Sequence, residues 1–92
     1  MFVLGYSVPE DLEGRALRHI EGKIFRSKDV ELFIGSAYRS DIVKSFGIDE
    51  SNVREGSISE IAMRCADRLL RKWRKDGRIR QGDKRGTWVF QV

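Results

Sequence analysis

The sequence predicts a mainly α fold with a small β-sheet (α+β): a three-helix core with a C-terminal β-hairpin, in one domain spanning residues 1–92. Three observations predict it. Between Ser57 and Asp76 the residues Ile58, Ile61, Ala62, Cys65, Ala66, Leu69 and Trp73 recur at three- and four-residue steps, forming one stripe of a long helix. Two shorter segments, around Leu12–Ile24 and Tyr38–Phe46, show the same spacing. After Gly77, strand-like alternation flanks a turn bounded by glycines.

Taken in order, "MFVLGY" is apolar and reads as a short edge strand. "SVPE" starts the first helix, with Ser7 as N-cap, Glu10 three residues on, and Pro9 tolerated in the first turn. Leu12, Ala16, Leu17, Ile20 and Ile24 line one face, and the helix is expected to end near Phe25. "DVELFIG" fits either a helical turn or a strand; a short strand is favoured because Gly35 stops it at once. "SAYRSDIVKSFG" reads as the second helix, capped by Ser36, buried through Tyr38, Ile42, Val43 and Phe46, and stopped by Gly47. Residues 48–57 are polar and read as a loop. Ser57 and Glu60 suggest a capping box for the long helix, and Gly77 ends it, with Lys72, Arg74 and Lys75 suiting its C-terminal dipole. "RIRQ", the turn "GDKRG" and "TWVFQV" complete the hairpin, with Trp88, Phe90 and Val92 on one face.

The segments "LLRKWRKDGRIRQGDKRGTWVF" and "SDIVKSFGI" resemble the winged helix-turn-helix family, over residues 40–48 and 57–92. The resemblance implies a three-helix core capped by a small sheet, and duplex DNA binding in the service of transcription regulation. It implies that the third helix, 57–76, enters the major groove and that the 78–92 hairpin, the wing, meets the backbone or minor groove. Residues near the start and middle of that helix (Ser59, Glu60, Met63, Arg64, Asp67, Arg68) would then supply specificity. The chain departs from the family in one respect. About ten residues separate the second and third helices where three or four are usual, so that either the loop is extended or "ESNV" adds a helical turn.

Charge points the same way as the resemblance. The net charge is +4, but residues 1–53 carry seven Lys/Arg against nine Asp/Glu (−2), and residues 54–92 carry eleven against five (+6). Such separation is the footprint of a polyanion-binding surface. At 100° per residue, Arg64, Arg68, Arg71 and Lys75 form a stripe opposite the apolar one. Arginine's planar fork bonds guanine or phosphate through two donors. Glu60 with Arg64, and Asp67 with Arg71, have the spacing of surface salt bridges, which is the competing reading of that face. Lys84 and Arg85 occupy the hairpin turn, Arg78 and Arg80 flank Ile79, and Thr87 has a hydroxyl for a phosphate. Arg74 adds a further cation at the helix end. Trp73 and Trp88 read as core residues rather than platforms for unpaired bases.

Other chemistry finds little support in the residues. His19 has no neighbouring Cys or second His for zinc, "GDKRGT" is no phosphate loop, and "DESNVREG" lacks the ligand pattern of a calcium loop. No enzyme activity, catalytic residue, metal or cofactor is expected. Cys65 cannot form an internal disulfide and reads as a small buried hydrophobe, suited to a reducing, cytoplasmic setting. No apolar run is long enough to span a bilayer. The expected partner is double-stranded DNA. The alternative is an interaction module of the same fold, meeting an acidic protein or forming a homodimer through the acidic first helix and "MFVLGY".

Overall fold

The computed structural model describes residues 1–91. Four helices pack around one core, with a small antiparallel hairpin at one side and a three-stranded antiparallel sheet at the other. The hairpin pairs β1 (Phe2–Val3) with β2 (Tyr6–Ser7). Leu4 and Gly5 both have positive φ, 49° and 85°, as a two-residue turn that follows the strands' twist requires. Val3 and Tyr6 point into the core, while Phe2 and Leu4 are 68% and 56% exposed. The apolar segment expected as one edge strand is therefore a complete hairpin.

Helix α1 (Glu10–Ile20) buries Leu12, Ala16 and Ile20 and carries Glu10, Asp11 and Glu13 in its first turn, where carboxylates suit the helix dipole. The expected Ser7 cap is not used: Ser7 belongs to β2, Pro9 occupies the N-cap, and no side chain caps the helix. The helix also ends earlier than expected. Gly22 turns the chain at φ 72°, and Ile24–Arg26 becomes strand β3.

The segment expected as a strand, "DVELFIG", lies inside helix α2 (Ser27–Ala37), and the helical alternative holds. Asp29 accepts a hydrogen bond from the Arg26 backbone N–H at 2.8 Å, satisfying a donor ahead of the first turn. Val30 and Ile34 are buried one turn apart. Gly35 does not stop the helix; a Cβ there would lie 3.6 Å from the Ala62 Cβ, so two small residues let α2 run close against the next long helix. Ser36 is consequently an interior residue and not a cap. The expected second helix breaks at Tyr38, and α3 covers only Arg39–Ser45, burying Ile42 and Val43.

Between α3 and α4, Glu50–Asn52 forms a short 3₁₀ turn, the extra helical turn left open by the sequence. Helix α4 (Glu55–Lys75) begins two residues before the expected Ser57, with Arg54 as N-cap and no side-chain cap. It buries Ile58, Ile61, Ala62, Cys65, Ala66, Leu69 and Trp73, the stripe read from the sequence, together with Leu70. Trp73 is wholly buried. Burying a large apolar side chain is worth about 1.5–3 kcal/mol, so this stripe anchors the domain. At the C-terminus, Gly77 N–H donates to the Arg74 carbonyl and Arg78 N–H to the Trp73 carbonyl, with Gly77 at φ 76°. This pair of bonds closes the helix and aims the chain directly into β4 (Ile79–Gln81).

Strand β5 (Thr87–Phe90) runs between β3 and β4. Its register sets Phe25 opposite Trp88 and Ile79 opposite Phe90, with Phe25 and Ile79 buried. Trp88 and Phe90 pack against the core from partly exposed positions. Val92, expected to share their face, lies outside the described residues. Among the described residues no helix is long and apolar enough to cross a membrane.

Candidate nucleic-acid interface

The long helix presents its cations on the face away from the core because its apolar stripe is fully committed to packing. Ser59, Arg64, Arg68, Arg71, Arg74 and Lys75 are all exposed on α4. The closing turn at Gly77 then carries Arg78 and Arg80 along β4 to the turn that holds Lys84 and Arg85, all exposed. Helix end and hairpin thus carry exposed cations one after another along the chain, interrupted by the exposed Asp76 and Asp83.

The cations along this edge differ in what they already bind. Arg64 pairs with Glu60 at 3.3 Å and Arg71 with Asp67 at 3.2 Å, the salt bridges that the spacing allowed. Exposed pairs of this kind are worth about 0–1 kcal/mol and exchange readily for another anion. Arg68 donates from Nη1 to the Phe2 carbonyl at 2.8 Å, tying α4 to the first hairpin. Among the described residues, Arg74, Lys75, Arg78, Arg80, Lys84 and Arg85 have no carboxylate partner. Arg74 lies over the Trp88 ring at 5.7 Å, a contact that holds its guanidinium at the junction of α4 and β5.

Thr87 is placed differently from its expected role. It is only 7% exposed, and its hydroxyl donates to the Lys84 carbonyl at 2.5 Å. Its backbone N–H donates to the same carbonyl at 3.1 Å, so Thr87 shapes the β4–β5 turn and its proton is not offered to a phosphate.

The sequence did not show how three residues are placed around this edge. Arg26 lies on β3 in register with Thr87 and shares a sheet face with Arg80, a placement created by strand pairing across three helices. Trp88 is half-buried and not a core residue: with Ser27, Arg71 and Arg74 it lines a crevice of about 310 Å³ between α2, α4 and β5. Lys72, on the flank of α4, is drawn away from the basic face by Glu13, 2.7 Å from its Nζ. No local pattern marks any of these, because each depends on a partner distant in sequence.

Cys65 is fully buried, and burial pushes its thiol up to about 11, so it is not a reactive nucleophile. Among the described residues no group of three or more His, Cys, Asp or Glu is placed to hold a metal ion. A cavity of about 610 Å³ lies between α1, β3 and α2 and is lined mainly by apolar side chains, including Ile24, Leu32 and Phe33. The chain matches no protein-family model, no curated protein and no solved structure.

Proposed function

We propose that this chain is a winged-helix protein that binds duplex DNA and acts as a small regulator of transcription, with α4 against the major groove and the β4–β5 hairpin as the wing. One observation carries the reading: residues 68–85 hold nine Lys/Arg against two Asp/Glu, on a helix end and a protruding hairpin joined without a break. A duplex carries one negative charge per about 1.7 Å of axis, and neutralising it releases counterions. The order of a helical core, a long helix and a two-stranded wing supports the same reading. The test is titration onto a random-sequence duplex of about 30 base pairs at several salt concentrations. Binding near 10⁻⁴ to 10⁻⁶ M that weakens steeply with salt is the expected outcome. No binding at low salt overturns it.

A second reading has its own observation. Phe2 and Leu4 project from the first hairpin with most of their surface in solvent, together with Met1. Such a knob suits a protein partner or a second copy. Sedimentation equilibrium of the wild type and of Phe2→Ser/Leu4→Ser separates a dimer from a monomer.

A further inference from the structure

We infer that the duplex is held through its phosphates by the wing and the C-terminal half of α4 alone, and that the N-terminal half of α4 stays off the DNA. This inference rests on the duplex-binding reading and departs from it on one point: only the C-terminal half of α4 approaches the duplex, so sequence-specific regulation would need a partner to supply it. Charge changes sign part-way along α4. From Asp49 to Asp67 there are five Asp/Glu and two Lys/Arg, a net of −3; from Arg68 to Arg85 there are nine Lys/Arg and two Asp/Glu, a net of +7. The helix has 21 residues and so spans roughly 30 Å at 1.5 Å per residue, several times the screening length of about 8 Å at physiological salt. The far ends of the helix therefore meet a phosphate backbone with opposite sign, while the Asp67–Arg71 pair joins the two zones where they adjoin.

The ion pairs sharpen the division. In the first zone Arg64 is held by Glu60 and Arg54 is exposed at the helix start, while Arg39 of α3, outside the zone, lies between Glu50 and Glu55. Arg68, engaged with the Phe2 carbonyl, marks the boundary. Beyond it Lys75, Arg78, Arg80, Lys84 and Arg85 are exposed and carry no carboxylate among the described residues. Phosphate contacts position a protein but carry no sequence information, whereas base readout here would need Ser59, Met63 and Arg64 in the groove. With that half of the helix held away, binding is nearly indifferent to sequence.

Fluorescence anisotropy with a random-sequence 30-base-pair duplex tests this on three variants, each checked for a wild-type circular dichroism spectrum and melting. Arg80→Gln/Lys84→Gln/Arg85→Gln should lose at least tenfold in affinity at about 0.1 M salt, and its salt slope should flatten by about 2–3. Ser59→Ala/Met63→Ala/Arg64→Gln should bind within twofold of wild type. Glu60→Gln, which removes a carboxylate paired only within the N-terminal half, should also stay within twofold. A severalfold gain in that acid-removal variant, or a loss in the Ser59/Met63/Arg64 variant, places the N-terminal half on the duplex and overturns the inference while leaving duplex binding intact. An unaffected wing variant overturns it as well. Failure of the wild type to bind overturns duplex binding itself, and this inference with it.

Discussion

The indole Nε1 of Trp73 donates to Glu13 Oε2 at 3.1 Å, so the largest fully buried side chain of α4 is tied to the first turn of α1. The other carboxylate oxygen accepts from Lys72 Nζ at 2.7 Å. Burial pushes the Glu13 carboxyl up, but the hydrogen bonds from Lys72 and Trp73 and the charge of Lys72 outweigh it and hold the group below its ordinary 4.5. A depressed acid contributes stability that is present above its unfolded value and lost as pH falls through its folded value. Glu13→Gln should therefore destabilise the domain at pH 7 by about 1–2 kcal/mol, less any solvent screening of the half-exposed Lys72 pair. The gap to wild type should close as the pH is lowered through 4.5. Urea unfolding followed by tryptophan fluorescence at both pH values measures it.

Tyr6 shows the opposite sign. Its hydroxyl donates to Asp41 Oδ2 at 2.7 Å, and burial, followed by the bond to Asp41 and that residue's charge, raises the phenol well above its ordinary 10.0. Its contribution is complete below about pH 10 and is lost above it, because the unfolded chain ionises first. Tyr6→Phe is expected to cost about 1 kcal/mol at pH 7 yet to unfold less steeply between pH 10 and 12. Circular dichroism across that range decides it.

The Tyr38 hydroxyl is buried without a hydrogen-bond partner among the described residues. An unsatisfied buried polar group costs about 1–3 kcal/mol. Tyr38→Phe should accordingly leave stability unchanged or raise it by about 1 kcal/mol, and its melting temperature should not fall. A marked fall would mean that the hydroxyl has a partner.

Leu4 holds a positive φ of 49° with its side chain largely in solvent, so it bears the cost of the left-handed conformation with little packing in return. Leu4→Asn should raise stability by about 1 kcal/mol, because asparagine tolerates that region and suits the first position of such a turn. Thermal melting compares the two.

Cys65 is expected to react with a thiol reagent only when the domain opens. Its labelling rate should follow global unfolding as urea is increased, since burial both hides the sulfur and keeps it protonated. Rapid labelling in water would disprove that packing.

The parts of the fold that could be read from the sequence are those whose information is local. The α4 stripe repeats over five turns, and its stop at Gly77 is marked by one residue, so both were legible. "DVELFIG" misled because Gly35 looks like punctuation until Ala62 is known to lie against it. The short strand β3 has only three residues and exists through its pairing with β5. The basic residues of the candidate interface were likewise visible as a list, but their engagements were not. Arg68 with the Phe2 carbonyl, Lys72 with Glu13 and Arg26 beside Thr87 join segments from opposite ends of the sequence, and no spacing rule reaches that far.

The central place of β5 in its sheet has a consequence for how the domain comes into being. Strand β3 gains a neighbour only through β5, and three helices are synthesised between the two. On a ribosome the helices can form and collapse as they emerge, but β3 must wait, its edge open, until the β4–β5 hairpin has cleared the exit tunnel. The last step of assembly is then the closing of a long loop, the slow kind of contact for a chain this small. Hairpin and core would lock together in a single event, so that the surface proposed to meet DNA takes shape only once the domain is otherwise built.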